Sequence, residues 1–80
     1  MESKYLKYVE INNTGKTKKF EIYNKNSNEL LGKVYWYAHW RKYIFSPSPK
    51  ELIFDVTCMF DIINFIDNLM EERRKAKYGI

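Results

Sequence analysis

Eighty residues with a single cysteine, Cys58, exclude an intramolecular disulfide and predict one small domain, residues 1–80, held together by packing alone. Rings are the expected compensation: aromatics make up 18% of the chain, and each large ring buries about 150–250 Å². Fourteen Lys/Arg against ten Asp/Glu give +4, split as ten against four through Lys50 and four against six after it, so the first half alone suits an acidic partner.

The first half reads as strands. Tyr5 to Asn12 alternates weakly and ends in Asn12-Asn13-Thr14-Gly15, a turn sequence because Gly and Asn accept positive φ. Thr17 to Asn24 sets Phe20 and Ile22 against Lys19, Glu21 and Tyr23, the period-two pattern of a half-buried strand. After a polar turn over Asn24–Asn28, Leu30 to Tyr37 predicts a third strand. Leu30, Val34 and Trp36 fall on one side of it, and Lys33, Tyr35 and Tyr37 on the other. Gly32 within that strand signals a bulge or a close backbone approach. Ala38-His39-Trp40 is the expected hairpin tip, with no Gly or Asn to set its type. Arg41 to Phe45 predicts the fourth strand, and Ser46-Pro47-Ser48-Pro49 stops it. Leu52 to Val56 offers a short fifth strand.

From Thr57 the period changes to that of a helix, with Thr57 as the expected N-cap and Asp61 near the positive end of the dipole. Cys58, Met59, Ile62, Ile63, Phe65, Ile66, Leu69 and Met70 form one broad apolar stripe at 100° per residue. Arg73 interrupts that stripe, so its buried part is expected to end near Met70. The fold class is therefore α+β, an antiparallel β-meander of four to five strands (about 5–56) with one C-terminal amphipathic helix (about 57–76) on one face. In such a two-layer sandwich a single helix leaves the other face of the sheet open.

That open face carries the first candidate site. Helix-facing parity takes Val34, Trp36, Tyr43 and Phe45. The opposite parity sends Lys33, Tyr35, Tyr37 and Lys42 outward, joined by Lys19 and Tyr23 of the neighbouring strand. Aromatic platforms among basic side chains bind single-stranded nucleic acid by stacking bases and neutralising phosphates. The plain alternative is cross-strand pairing of tyrosine rings with lysine stems. A second candidate, for a protein partner, is His39, Trp40 and Arg41 at the hairpin tip, because Trp and Arg are frequent interface anchors. Alternatively Trp40 folds back over the small core. Phe60, about 160° from Ile62 on the helical wheel, packs on the Pro47/Pro49 loop or the first strand, or else joins such a contact. The basic end, Glu72 to Ile80, reads as a solvated helix terminus or a phosphate-binding arm.

Catalytic signatures are weak. His39 stands alone, and Cys58 lies far from it in sequence with no oxyanion or third-residue pattern nearby. The expectation is a non-enzymatic protein with no metal and no cofactor. One thiol and no signal-peptide pattern predict a cytoplasmic setting, and no apolar run approaches the roughly 20 residues that would span a bilayer.

Gly32, Trp36, Trp40-Arg41-Lys42-Tyr43, Phe45 and Pro47, followed by Cys58 and the helix pattern Ile62, Phe65, Ile66 and Leu69, resemble short stand-alone proteins of bacterial and phage or mobile-element genomes. The likeness spans Gly32 to Leu69 and implies a genomic setting, with no activity attached. The leading functional expectation is a small binding protein that engages single-stranded nucleic acid, or a nucleoprotein complex, through the basic-aromatic sheet face. The alternative is a protein-interaction module or inhibitor acting through Trp40, for example by blocking a host defence complex. The expected state is a monomer or a weak homodimer, the latter pairing through an edge strand.

Overall fold

Alternating side chains and turn-forming residues resolve into four strands and a helix, in the order β1 (Leu6–Asn13), β2 (Lys18–Asn24), β3 (Leu30–Tyr37), β4 (Lys42–Pro47) and α1 (Val56–Lys77). The structure is a computed structural model that describes residues 3–48 and 55–77. The strands form one antiparallel sheet in chain order, a meander.

Each turn has a local cause. Between β1 and β2, Gly15 takes φ +90° while its N–H donates to Asn13 Oδ1 at 2.8 Å. Between β2 and β3, Asn28 sits at φ +61° and donates its N–H to the Asn24 carbonyl at 2.8 Å. The β3–β4 tip lacks such residues, and there Arg41 itself occupies the left-handed region at φ +54°, a conformation that costs a β-carbon-bearing residue about 1–2 kcal/mol. Arg41 therefore belongs to the turn, and β4 begins at Lys42, opposite Tyr37.

Gly32 is both features that a glycine in a strand suggests. Opposite β2 it faces Ile22, whereas Leu30 faces Tyr23, which leaves Leu31 as the extra residue of a bulge. The bulge corrects the predicted parity: Leu31, not Leu30, enters the core. On the other side, a Cβ at position 32 would collide with the Ser46 carbonyl oxygen and come within 2.8 Å of the Phe45 ring. Pro47 is tolerated within β4 because β4 is an edge strand.

The core lies between α1 and one face of the sheet. Leu6, Tyr8, Phe20, Ile22, Leu31, Val34 and Tyr43 from the strands meet Ile62, Phe65 and Leu69 from the helix. Phe65 is the hub, stacked on Tyr8 with ring centres 4.0 Å apart and edge-on to Phe20 at 4.8 Å. Trp36, Phe45, Cys58, Ile66 and Met70 pack around this set. The Tyr8 hydroxyl donates to the Asp61 carbonyl at 3.3 Å, and Tyr43 Oη accepts the Lys18 N–H at 3.0 Å, so both core tyrosines keep a polar partner. Burial raises the Tyr8 pKa. At the β4 edge, the Tyr43 N–H reaches Met70 Sδ at 3.5 Å.

The helix differs from expectation at its start. Its cap is Asp55, not Thr57: Asp55 Oδ1 accepts the Cys58 N–H at 2.8 Å. That bond and its neighbours at Cys58 hold the Asp55 carboxyl below the usual carboxylate range. Val56 is the first helical residue, so it belongs to no fifth strand; residues 52–54 of that expected strand lie outside the described residues. The buried stripe ends at Leu69 and Met70, as the sequence predicts, but contact with the sheet continues beyond it. Arg73 is half-buried, its guanidinium 3.9 Å from the centre of the Trp36 ring, and Nη1 donates to the Lys16 carbonyl at 2.9 Å. It clamps the helix to both the β3 strand and the β1–β2 turn. Conversely, Met59 and Ile63, counted in the apolar stripe, are 45% and 49% exposed. Among the described residues no helix is long and apolar enough to cross a membrane.

Candidate nucleic-acid interface

Strand register fixes which side chains share the face that α1 does not occupy. Lys7 and Val9 of β1 lie opposite Tyr23 and Glu21 of β2; Tyr23 and Glu21 in turn face Leu30 and Lys33 of β3. Lys33, Tyr35 and Tyr37 then face Ser46, Ile44 and Lys42 of β4. Lys19, Tyr23, Lys33, Tyr35, Tyr37 and Lys42 are therefore on one side of the sheet, as the period-two reading predicts. Each is half-buried apart from Lys42, which is exposed.

Rings and cations interleave on this face. Lys19 Nζ lies 5.2 Å from the centre of the Tyr35 ring, and Lys7 Nζ 5.7 Å from that of Tyr23. Each ammonium group thus lies within cation–π range of a tyrosine ring. Lys7 escaped sequence reasoning because the alternation of β1 is weak. The signal that finds it is the pairing of Leu6 and Tyr8 as core residues, which turns the residue between them outward.

Glu21 is the one acidic residue paired into this face among the described strands, against Lys7, Lys19, Lys33 and Lys42. It accepts a hydrogen bond from the Tyr23 hydroxyl at 2.8 Å, and that bond raises the Tyr23 pKa. The Tyr23 hydroxyl points along the sheet toward β2's own carboxylate.

The hairpin tip extends the aromatic surface. Trp40 stands edge-on to Tyr37 at 5.0 Å, and His39 is 5.4 Å from the same ring. Trp40 is 65% exposed, so it does not fold back over the core. Its contact is with the open face, which joins the two predicted sites at Tyr37. Phe60 does not join them. It sits on α1, 59% exposed, beside Val56, Met59 and Ile63.

Burial pushes the Cys58 thiol up, with Asp55 adding to the effect, so the helix N-terminus does not activate it. Among the described residues, no three His, Cys, Asp or Glu side chains stand close enough to hold a metal ion. A shallow cleft of about 180 Å³ runs between the β1–β2 turn and the helix, with Lys16, Lys18 and Arg73 opposed by Glu72.

A 9.3 kDa protein of Acholeplasma phage L2, described as uncharacterized, is 32% identical over 74 residues, covering 91% of this chain and 94% of that protein. No family model matches the chain, and no solved structure matches it.

Proposed function

The chain belongs to the family of the 9.3 kDa Acholeplasma phage L2 protein, and we propose that it is a non-enzymatic binder of single-stranded nucleic acid. The observation that supports this reading is the sharing of one open sheet face by Tyr23, Tyr35, Tyr37, Lys7, Lys19, Lys33 and Lys42. Bases stack on Tyr35 and Tyr37, with Trp40 continuing the platform at the hairpin tip, each stacked base contributing about 1–3 kcal/mol. Lys19, Lys33, Lys42 and Lys7 neutralise phosphates along the strand. Stacking is indifferent to base identity, so binding is broad in sequence. The protein acts in the cytoplasm of its host, where its targets are single strands or a nucleoprotein complex.

The test is a fluorescence titration with a labelled thymidine oligonucleotide at several salt concentrations. Four phosphate contacts give a slope of log affinity against log salt of roughly −3, from about −0.7 per contact. Absent binding at low salt, or binding that salt does not weaken, removes the proposal.

A second reading is favoured by one observation, the 65% exposure of Trp40 at a turn it shares with His39 and Arg41. In it the tip anchors a protein partner, such as a component of a host defence complex. Trp40→Ala then abolishes capture of that partner while Lys33→Gln and Lys42→Gln leave it intact.

A further inference from the structure

The two edges of the sheet are unequally protected. In an antiparallel sheet the N–H and C=O of alternate residues of an edge strand point away from the neighbouring strand, ready for another one. On β4 the Tyr43 N–H reaches Met70 Sδ, outside the sheet, at 3.5 Å, so the outward residues are Tyr43, Phe45 and Pro47. The helix occupies the first of these donors, and the last does not exist because proline has no N–H. A strand laid along β4 finds little to bond.

The β1 edge is different. The Lys25 N–H donates to the Tyr5 carbonyl at 2.9 Å, so Tyr5, Lys7 and Val9 bond inward and Leu6, Tyr8 and Glu10 point outward. Ser3 closes off Leu6: its N–H donates to the Leu6 carbonyl at 2.8 Å, and its Oγ accepts the Leu6 N–H at 3.1 Å. At the other end, the register shift between Glu10 and Asn12 ends the regular edge at Ile11. Between these limits, among the described residues, no turn, loop or side chain bonds to the outward backbone groups of Tyr8 and Glu10. Beside them Val9 and Ile11 are 36% and 44% exposed.

We propose that β1 pairs antiparallel with β1 of a second copy of this chain. The register follows from where the free groups lie. Tyr8 of each copy facing Glu10 of the other uses all of their donors and acceptors, and that pairing is centred on Val9. Centring on Tyr8 instead sets Glu10 against Leu6, whose groups Ser3 already holds, and centring on Glu10 opposes two carboxylates. A segment that complements itself in this way forms a two-fold contact, and with β4 closed the assembly stops at two copies. The axis of such a pair stands perpendicular to the sheet. Two four-stranded sheets thus become one of eight strands, with both helices on one side and both open faces on the other. A nucleic-acid strand can then run across the seam; that consequence, unlike the pairing itself, rests on the nucleic-acid reading above.

Sedimentation velocity on the full chain over a range of concentrations tests the pairing. The mass is expected to rise from one chain to two and no further. Glu10→Pro removes an outward donor that β2 does not use, so it holds the chain at one copy while the circular dichroism stays that of a folded sheet. The register is tested by mild oxidation in a Cys58→Ala background. Val9→Cys sets two thiols across the axis in a non-hydrogen-bonded pair, with Cα atoms about 4.5 Å apart, and a disulfide-linked dimer is expected. Lys7→Cys stays unlinked, because its two copies lie four residues apart along the strands, about 13 Å. A wild-type monomer at every concentration overturns the proposal and leaves the edge to an extended segment of another protein. So does a mass that grows past two chains, association that survives Glu10→Pro, or linkage at position 7 as ready as at position 9. The cysteine pair decides the matter if Glu10→Pro unfolds. None of these readouts involves an oligonucleotide, so failure of the nucleic-acid reading leaves them unchanged.

Discussion

The two faces of the sheet use the same residue type in opposite ways. On the covered face, Tyr8 and Tyr43 are buried and meet other rings, Tyr8 stacking on Phe65 at 4.0 Å and Tyr43 meeting Trp36 edge-on at 5.5 Å. On the open face, Tyr23 and Tyr35 have ammonium groups as their ring neighbours, at 5.7 and 5.2 Å. Strand parity decides whether a tyrosine is buried; Tyr37, also on the open face, meets the rings of Trp40 and His39 instead of an ammonium group. A ring packed in the core contributes stability, whereas the half-buried rings of the open face are the ones the proposed function assigns to a ligand. Stability and binding are therefore expected to separate by face.

Phe65→Ala gives the largest effect on the covered side. It removes the hub between Tyr8 and Phe20, at a cost of about 3–5 kcal/mol. A domain of this size has little more than that to lose. Urea unfolding followed by circular dichroism should show the variant largely unfolded without denaturant. Gly32→Ala comes next. The new methyl meets the Ser46 carbonyl and the Phe45 ring, and relief of such overpacking costs about 1–3 kcal/mol. Its urea midpoint falls while its far-ultraviolet spectrum stays that of a folded chain.

Tyr35→Ala moves the other quantity. Loss of one stacking platform lowers oligonucleotide affinity by about 1–3 kcal/mol, roughly 5- to 150-fold. The urea midpoint changes little, since Tyr35 lies outside the core cluster. Lys19→Gln produces a smaller change of a distinct kind, reducing the salt slope of binding by about 0.7.

How far the sequence revealed all this follows the strength of each local signal. Strong alternation in β2 and β3 placed Lys19, Tyr23, Lys33, Tyr35 and Tyr37 on the correct side. Lys42 followed because Tyr43 and Phe45 belong to the core side. The weak alternation of β1 hid Lys7. The bulge at Leu31 was signalled by Gly32, but its consequence was not: one inserted residue exchanges Leu30 for Leu31 in the core, and only the pairing with β2 reveals where the insertion falls. Trp40 stayed ambiguous because a tip residue has no periodicity to read. At the helix, hydrophobicity could not distinguish Met59 and Ile63, which are exposed, from Ile62 and Phe65, which are buried. A single layer of sheet covers a narrower stripe than the one the apolar residues fill. Arg73 marks the end of the buried stripe, as its charge signals, while its position over Trp36 is not visible in sequence.

The smallest expected effect concerns the cap. Asp55 has a folded pKa below its unfolded value, so its contribution to stability is present above the unfolded pKa and is lost as pH falls through the folded one. Asp55→Asn keeps a capping side chain but removes the titration. Thermal melts of that variant between pH 5 and pH 2 should show a shallower acid decline than the wild type.

The central claim, that the sheet face opposite α1 is where a nucleic-acid strand binds, is tested most directly by amide chemical-shift mapping during titration with a single-stranded thymidine oligonucleotide. Shifts concentrated at Tyr23, Lys33, Tyr35, Tyr37 and Lys42, with Ile62 and Leu69 unmoved, are the predicted outcome. Shifts centred on the helix, or none at saturating oligonucleotide in low salt, would contradict it.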